Sequence, residues 1–500
     1  DRDRGAMLGG SAKKYSDKTN EGFRKKQPSN DLDQVNAGSA EGQEALGDET
    51  NMRQGSVFGR LNYNYKEKYL LGVNIRHDGS SRFAQGRRWG TFPSVSAAWR
   101  ISEEGFMEGL RPVISNLKLR GSWGQLGNDR IADYSYISRI TLGQNYPFFG
   151  SYAEGAIQTV GSNAKITWET STELDLGIDI DLFKNKLSIS ADWYKRTTDD
   201  ILTAVPVSQI YGLTAPTVNA GSMENKGIEL QVTHRNTIKD FSYQAGVNFS
   251  YNKNVVTKYP NPSKGSTIRQ KGYAWDSYFG YESLGYYQTQ EQVDNAPKIT
   301  GTNVKMGDLM WKDQLTVDTN GDGKPDAGDG IINGDDRIVI GSPQPKYTLG
   351  FNIGASYKGF DLSAFFQGAF GVYRLHHNEA FCPFVATGNG QEKHKDYWTP
   401  ENRNARYPIL RTKQTHNYQT STFNVLKSDY LRLKNIQIGY TLPQSILKYL
   451  KVERVRAYFS GQNIWTIKDK MLEGLDPEVV NANYVYPNVA TYTFGLNITF

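Results

Sequence analysis

The residues best placed for chemistry lie in Asp318-Thr-Asn320-Gly-Asp322-Gly323-Lys324-Pro-Asp326-Ala-Gly-Asp329. Numbered as a twelve-residue calcium loop, oxygen side chains fall at positions 1, 3, 5, 9 and 12 and glycine at the sharp sixth. Position 7 is Lys324, where only the backbone carbonyl binds. Five hard oxygens and a carbonyl suit Ca²⁺, whereas Mg²⁺ would resist losing its waters. The expected ligands are therefore Asp318, Asn320, Asp322, the carbonyl of Lys324, Asp326 and Asp329. Asp329 stands where a bidentate Glu is usual and Pro325 where an aliphatic residue is normal, so the competing reading is a solvated acidic turn. No helical pattern flanks the segment, so a bound ion would staple a loop and not act as a sensor.

Other chemistry is sparse. The six histidines, His77, His234, His376, His377, His394 and His416, form no nucleophile or metalloprotease motif. Adjacent His376 and His377 in an extended segment point apart. Glycines 86 to 90 lack the following helix that a phosphate loop needs. The single cysteine, Cys382, excludes an internal disulfide framework and a Cys-rich zinc site. Lys plus Arg minus Asp plus Glu is 58 − 52 = +6, without a dense basic block, so nucleic acid is not an expected partner. These residues describe a protein that is not an enzyme.

The elements that would hold the loop are strands. From about Ser56 onward the apolar signal has period 2. In Glu173–Leu182 one face is Leu174, Leu176, Ile178, Ile180 and Leu182, and the other is Glu173, Asp175, Gly177, Asp179 and Asp181. Phe241–Asn252 and Tyr347–Tyr357 divide the same way. Thirteen such segments are expected, near 56–65, 68–77, 90–101, 115–126, 170–182, 186–197, 227–235, 241–252, 346–357, 360–370, 429–441, 454–464 and 491–500. Tight turns at 66–67, 183–186, 236–240 and 358–359 alternate with long polar, aromatic-rich connections at 127–169, 198–226, 253–345 and 371–428. Short turns on one side and long loops on the other, with tyrosines and tryptophans near strand ends, are the pattern of an outer-membrane β-barrel. Mean hydropathy of −0.60 does not oppose this, because alternating strands average to polar. The chain ends on a strand with a terminal aromatic, Phe500. Thirteen is odd, whereas bacterial single-chain barrels have even counts. Either a strand is hidden or the chain is part of something larger.

Several strings, in order, resemble the SusC/RagA branch of the TonB-dependent outer-membrane transporters. They are Asp192-Trp-Tyr194 with Thr197-Thr-Asp199-Asp-Ile-Leu202, Asn219-Ala-Gly221 with Asn225-Lys-Gly227-Ile-Glu229, and Ile340-Gly341-Ser-Pro343-Gln-Pro345. Asp429-Tyr-Leu-Arg432-Leu-Lys434-Asn435 with Gly439-Tyr-Thr-Leu-Pro443, and Leu475-Asp-Pro-Glu478, complete the set. The likeness runs from about Ser56 to Phe500. It implies an all-β fold, an antiparallel transmembrane barrel of which about 13 of an expected 22 strands are present, with long extracellular loops. Residues 1–55 would be an extracellular loop segment and 56–500 the C-terminal part of the barrel, the loop at 253–345 carrying the calcium-type sequence. The plug domain and the other strands would precede Asp1 or belong to another chain. A similar acidic loop in the family runs into Asp-Arg, so Asp336, before Arg337, competes with Asp329 as the closing ligand.

The resemblance further implies active import of an oligosaccharide (glycan) or peptide across the Gram-negative outer membrane. The partners would be a SusD-like surface lipoprotein, TonB, the plug, the remaining strands and the lipid bilayer. The rival is a secreted or surface calcium-binding β-sandwich adhesin or carbohydrate-binding protein. Trp275, Tyr278, Trp311 and Trp398 are the substrate-binding candidates, since flat rings stack on sugars or line peptide grooves and equally pack loops together. Glu173, Asp175, Asp179 and Asp181 would form a hydrated acidic wall.

Overall fold

The computed structural model describes residues 2–260, 264–377, 381–384, 388–412, 415–472, 474–479 and 488–500. Fourteen strands form one sheet whose hydrogen-bonded order is their sequence order. They are β1 (Arg2–Lys25), β2 (Ser39–Tyr65), β3 (Tyr69–Ser80), β4 (Trp89–Arg100), β5 (Ile114–Asn128), β6 (Glu169–Leu182) and β7 (Leu187–Ala204). There follow β8 (Thr217–Ile238), β9 (Phe241–Lys258), β10 (Tyr347–Tyr357), β11 (Phe360–Phe370), β12 (Tyr430–Thr441), β13 (Arg454–Lys468) and β14 (Thr491–Thr499). The pairings from β1 to β4 and from β9 to β14 are antiparallel. Among the described residues two short α-helices, Gln290–Asn295 and Gln444–Leu450, lie in connections.

The thirteen expected segments each correspond to a strand, and the fourteenth is β1, inside the segment 1–55 that was expected to be loop. Its register runs from Arg2↔Tyr65 to Phe23↔Glu44 on β2. Gly5, Gly9 and Gly10 blank out its lower alternation, and above Ala12 both faces are polar, so no period-2 signal survives. The 24 and 27 residues of β1 and β2 far exceed the ~9–11 that cross a bilayer. The excess need not alternate. Along the sheet β1 and β14 each bond one neighbour only among the described residues.

Two rows of rings fix the height of the apolar band. Register pairs Phe241↔Tyr357, Tyr357↔Phe360 and Phe360↔Tyr440 at one end of β9–β12, and Tyr251↔Tyr347 and Tyr347↔Phe370 at the other end of β9–β11. The rows are ten residues apart on β9 (251 − 241 = 10). At about 3.3 Å per residue and a tilt of about 40° this is roughly 25 Å, the height of the lipid-facing band between aromatic girdles. The turns beyond the lower row are tight and left-handed, as at Lys66-Glu67 and Lys358-Gly359. Gly359 has φ +91°, and a β-carbon there would lie 2.7 Å from the Thr441 carbonyl oxygen. Only glycine meets both demands.

Burial is concentrated in the connections, because a sheet of this kind leaves both faces to be covered by something else. The chain forms two compact units. In the first (1–99, 120–174, 196–222), Phe83, Phe92, Ile166 and Trp168 make a small core, with the indole N–H of Trp168 donating to the Arg88 carbonyl at 3.0 Å. In the second (100–119, 175–195, 223–500), the connections β9–β10 and β11–β12 pack into one body. Its fully buried side chains include Tyr287, Trp311, Phe381 and Tyr407.

Candidate functional site

The wet face of the sheet is charged but largely self-neutralised. Glu173 accepts from Arg196 at 2.7 Å and Asp179 from Ser190 at 2.8 Å, while Lys118 lies 3.3 Å from Asp179. Asn116 donates to Asp181 at 3.1 Å, and Arg456 donates to Asp361 at 2.9 Å and to Gln437 at 3.0 Å. The acidic stripe seen along β6 is therefore not a bare acidic wall, because strand pairing brings bases from β5 and β7 beside it. That cross-strand neighbour information is invisible along a single strand.

The four aromatic candidates sit in or against the loop body. Trp311 is 1% exposed and stacks on Tyr281, with ring centroids 5.7 Å apart. Trp398 is buried, its indole donating to Gln288 at 3.1 Å, and Tyr278 is buried as well. Trp275 is half-buried under the Arg269 guanidinium, 4.6 Å from its ring centre. The faces of Trp311, Trp398 and Tyr278 are occupied by the protein itself. Beneath them Asp308, fully buried, pairs with Arg411 and accepts from Asn417 at 2.9 Å and the Lys305 amide at 2.8 Å. The Tyr281 amide donates to the Thr420 carbonyl at 2.9 Å, tying the two long connections together. Within this body burial pushes the His376 imidazole down to about 4 and the Cys382 thiol up to about 12.

A cluster of open rings belongs to a hairpin in the β5–β6 connection, which sequence reasoning passed over. Tyr146–Phe148 pairs with Ser151–Ala153 across the turn Phe149-Gly150, where φ is 49° and 80°. Phe149 is completely exposed, and Tyr146, Phe148 and Tyr152 are more than half exposed. The signal was present as Tyr-Pro-Phe-Phe-Gly, a ring cluster closed by a turn glycine.

The acidic loop folds as a hairpin, with Val317 bridged to Ala327. Asp318 accepts from the amides of Gly321 at 2.7 Å and Gly323 at 2.8 Å, which, with Gly323 first, hold its carboxyl below the usual carboxylate range. Asn320 accepts from the Asp322 amide and Asp322 from the Lys324 amide. Asp326 is held low by the Thr319 amide and then its hydroxyl. Asp329, the expected closing ligand, has a carboxylate oxygen within 4.8 Å of oxygens of both Asp336, its competitor, and Asp313, which the motif numbering missed. Asp336 is fully buried, held by the amides of Gln314 at 2.8 Å and Asn333 at 2.7 Å. One oxygen of Asp313 is buried without a hydrogen-bond partner.

Aromatic rows roughly 25 Å apart, an apolar and a wet face, and alternating turns and loops together define the wall of an outer-membrane β-barrel. A family model described as "TonB dependent receptor-like, beta-barrel" matches residues 5–464, and the chain belongs to that family. TonB-dependent receptor P3 of Formosa agariphila is 35% identical over 483 residues, covering 89% of this chain and 45% of that protein. TonB-dependent receptor SusC of Bacteroides thetaiotaomicron is 29% identical over 473 residues, covering 89% of this chain and 43% of that protein. The solved RagAB peptide transporter superposes with a TM-score of 0.82 at 26% identity, over 100% of this chain and 53% of that one. The chain spans about half the length of these relatives. It is SusC/RagA-like, its family is one of outer-membrane receptors and transporters and not of enzymes, and the adhesin reading falls with that membership.

Proposed function

We propose that the chain is barrel wall from an importer that takes up an oligosaccharide or a peptide across the outer membrane, energised through TonB. The observation that carries the reading is the pair of aromatic rows bounding an apolar band of bilayer height on strands that follow the RagAB barrel. In lipid every backbone group must be paired, so the free edges of β1 and β14 require strands from the rest of the full-length protein. That remainder would also supply a plug filling the lumen. The long connections would be extracellular. The exposed Tyr146–Tyr152 hairpin is the surface best suited to a SusD-like lipoprotein or to substrate, since its four rings are each more than half exposed, whereas Tyr278, Trp311 and Trp398 are buried.

We also propose that the acidic loop holds Ca²⁺. Three carboxylates within 4.8 Å of one another, one fully buried and one with an unpartnered buried oxygen, form an oxygen-only donor set that suits a hard cation. Asp313, Asp329 and Asp336 would hold it. The turn 318–326, its carboxylates already folded around backbone amides, would support them or bind a second ion. Bound Ca²⁺ supplies charge compensation and a rigid loop.

Uptake by whole cells tests the transport reading. Cells carrying the full-length protein should accumulate either labelled peptides or labelled oligosaccharides, and accumulation should stop on loss of TonB or of the proton gradient. Accumulation indifferent to both would reject energised import. Which of the two mixtures competes identifies the substrate class.

A further inference from the structure

On the apolar face of β7–β9, just beyond the upper aromatic row, stands a cluster of cations that the import reading does not use. Two residues past Trp193 on β7, and so on the same face, Lys195 lies 2.9 Å from Glu224 of β8. Lys226, two residues on and again on that face, shares the same carboxylate at 3.4 Å. Ile228, next in the series, is 50% exposed, which marks the face as the lipid-facing one. Asn225 and Asn254 are joined at 2.8 Å across β8 and β9, so their neighbours Lys226 and Lys253 reach the outward face at one level. Lys253 is exposed and follows Tyr251 of the aromatic row by two residues. Two lysines thus share one glutamate, and the third, Lys253, stands at the same level. Beside Lys253 a recess of about 520 Å³ is lined by Tyr251, Tyr273, Lys346, Tyr347 and Tyr373. Of the neighbouring cations, Arg269 pairs with Asp276 at 2.6 Å and Lys264 with Asp335 at 3.1 Å, so the positive excess rests on Lys195, Lys226 and Lys253 themselves.

We propose that Lys195, Lys226 and Lys253, with the tyrosine-lined recess, form a docking site for the phosphate-bearing headgroup of an outer-leaflet lipid. The inference rests on the membrane orientation proposed above. A cationic cluster above an apolar band matches a molecule whose charge and acyl chains are stacked in that order, and free phosphate would use only the upper half. Glu224 orients Lys195 and Lys226 while leaving an excess of positive charge for the ligand. Tyrosine hydroxyls at the girdle supply neutral hydrogen bonds to a sugar or glycerol moiety.

The test is native mass spectrometry of the full-length protein after mild detergent extraction, for wild type and for Lys195→Gln/Lys226→Gln/Lys253→Gln. A control, Lys66→Gln/Lys184→Gln/Lys239→Gln, neutralises three lysines at the opposite strand ends. Wild type and control should retain a phosphate-bearing lipid, and the cluster variant should lose it, with affinity falling roughly fivefold per lysine removed. The single variant Lys253→Gln serves if the triple variant fails to insert. Equal retention in the cluster variant, no phosphate-bearing lipid on wild type, or displacement of the lipid by millimolar inorganic phosphate would each overturn the proposal. A protein that needs no detergent would instead reject the barrel reading on which it rests.

Discussion

Two of the strings that carried the family resemblance meet in space, and breaking their contact makes a sharp prediction. Arg432 of β12, 3% exposed, donates to both carboxylate oxygens of Asp476, at 3.1 and 3.0 Å, to the Thr466 hydroxyl at 3.0 Å, and to Glu478. Glu478 is also held by Lys434 at 2.9 Å and by the Tyr430 hydroxyl at 2.8 Å. Arg432→Met would leave Asp476, whose side chain is 9% exposed, as a buried charge without its cationic partner. Such a loss costs about 3–5 kcal/mol. Because Asp476 keeps the Asn488 side-chain amide at 2.8 Å and the Glu478 backbone N–H at 2.9 Å, and Glu478 keeps Lys434, Tyr430 and Asn488, about 3 kcal/mol is the appropriate end, equivalent to roughly a hundredfold rise in opening of residues 474–479. Hydrogen exchange on the full-length protein in nanodiscs reads that opening amide by amide. Pairing the change with Asp476→Asn should recover about 1–3 kcal/mol, the coupling expected of neighbours in one network. Exchange unchanged within twofold in Arg432→Met would refute the claim that this network anchors the segment.

Other outcomes follow from the loops. His376 has its imidazole pushed down to about 4 by burial, then by Lys393 and Arg374. The folded loop body therefore binds fewer protons than the opened one below the ordinary histidine pKa. Its stability is complete above about pH 6.5 and falls by about 3 kcal/mol as the pH drops to 4, and His376→Phe should flatten that dependence in exchange measurements. Trp311→Ala should destabilise the loop body by about 3–5 kcal/mol in chemical denaturation followed by limited proteolysis, as a buried ring does and a ligand platform does not. Terbium luminescence should report a site that Ca²⁺ displaces and that Asp329→Asn or Asp336→Asn weakens by at least tenfold, with proteolysis of 313–336 accelerated by chelator. Phe148→Ser/Phe149→Ser should leave thermal unfolding unchanged and reduce co-purification of a surface lipoprotein or substrate uptake.

Strand identity was legible wherever one face meets lipid, because period 2 is then imposed on every residue, as in Leu174 to Leu182. It was illegible in β1, where glycines and small residues occupy the band and the rest of the strand stands in water. The calcium-type string was readable from Asp318 to Asp329, yet Asp313 was not. Asp313 comes to Asp329 only because the Val317–Ala327 bridge folds the hairpin back. Aromatic residues could be counted in the loops but not sorted into Trp311, covered by Tyr281, and Phe149, covered by nothing. Sorting them requires knowing which segments pack together, as Tyr281 does with Thr420, and that contact spans more than a hundred residues. The pairing of Arg432 with Asp476 was equally hidden, although both lie in recognisable strings.

What completes the sheet at β1 and β14 decides whether the chain is barrel wall. A structure of the full-length protein extracted from its own membrane would show the partners of β1 at Arg2–Lys25 and of β14 at Thr491–Thr499. The prediction is that each edge is hydrogen-bonded to a strand from the remainder of the same protein, closing a barrel around a plug with the Tyr251 and Phe241 rows at its two membrane interfaces. Direct pairing of β1 with β14, or edges left free in a water-soluble particle, would contradict it.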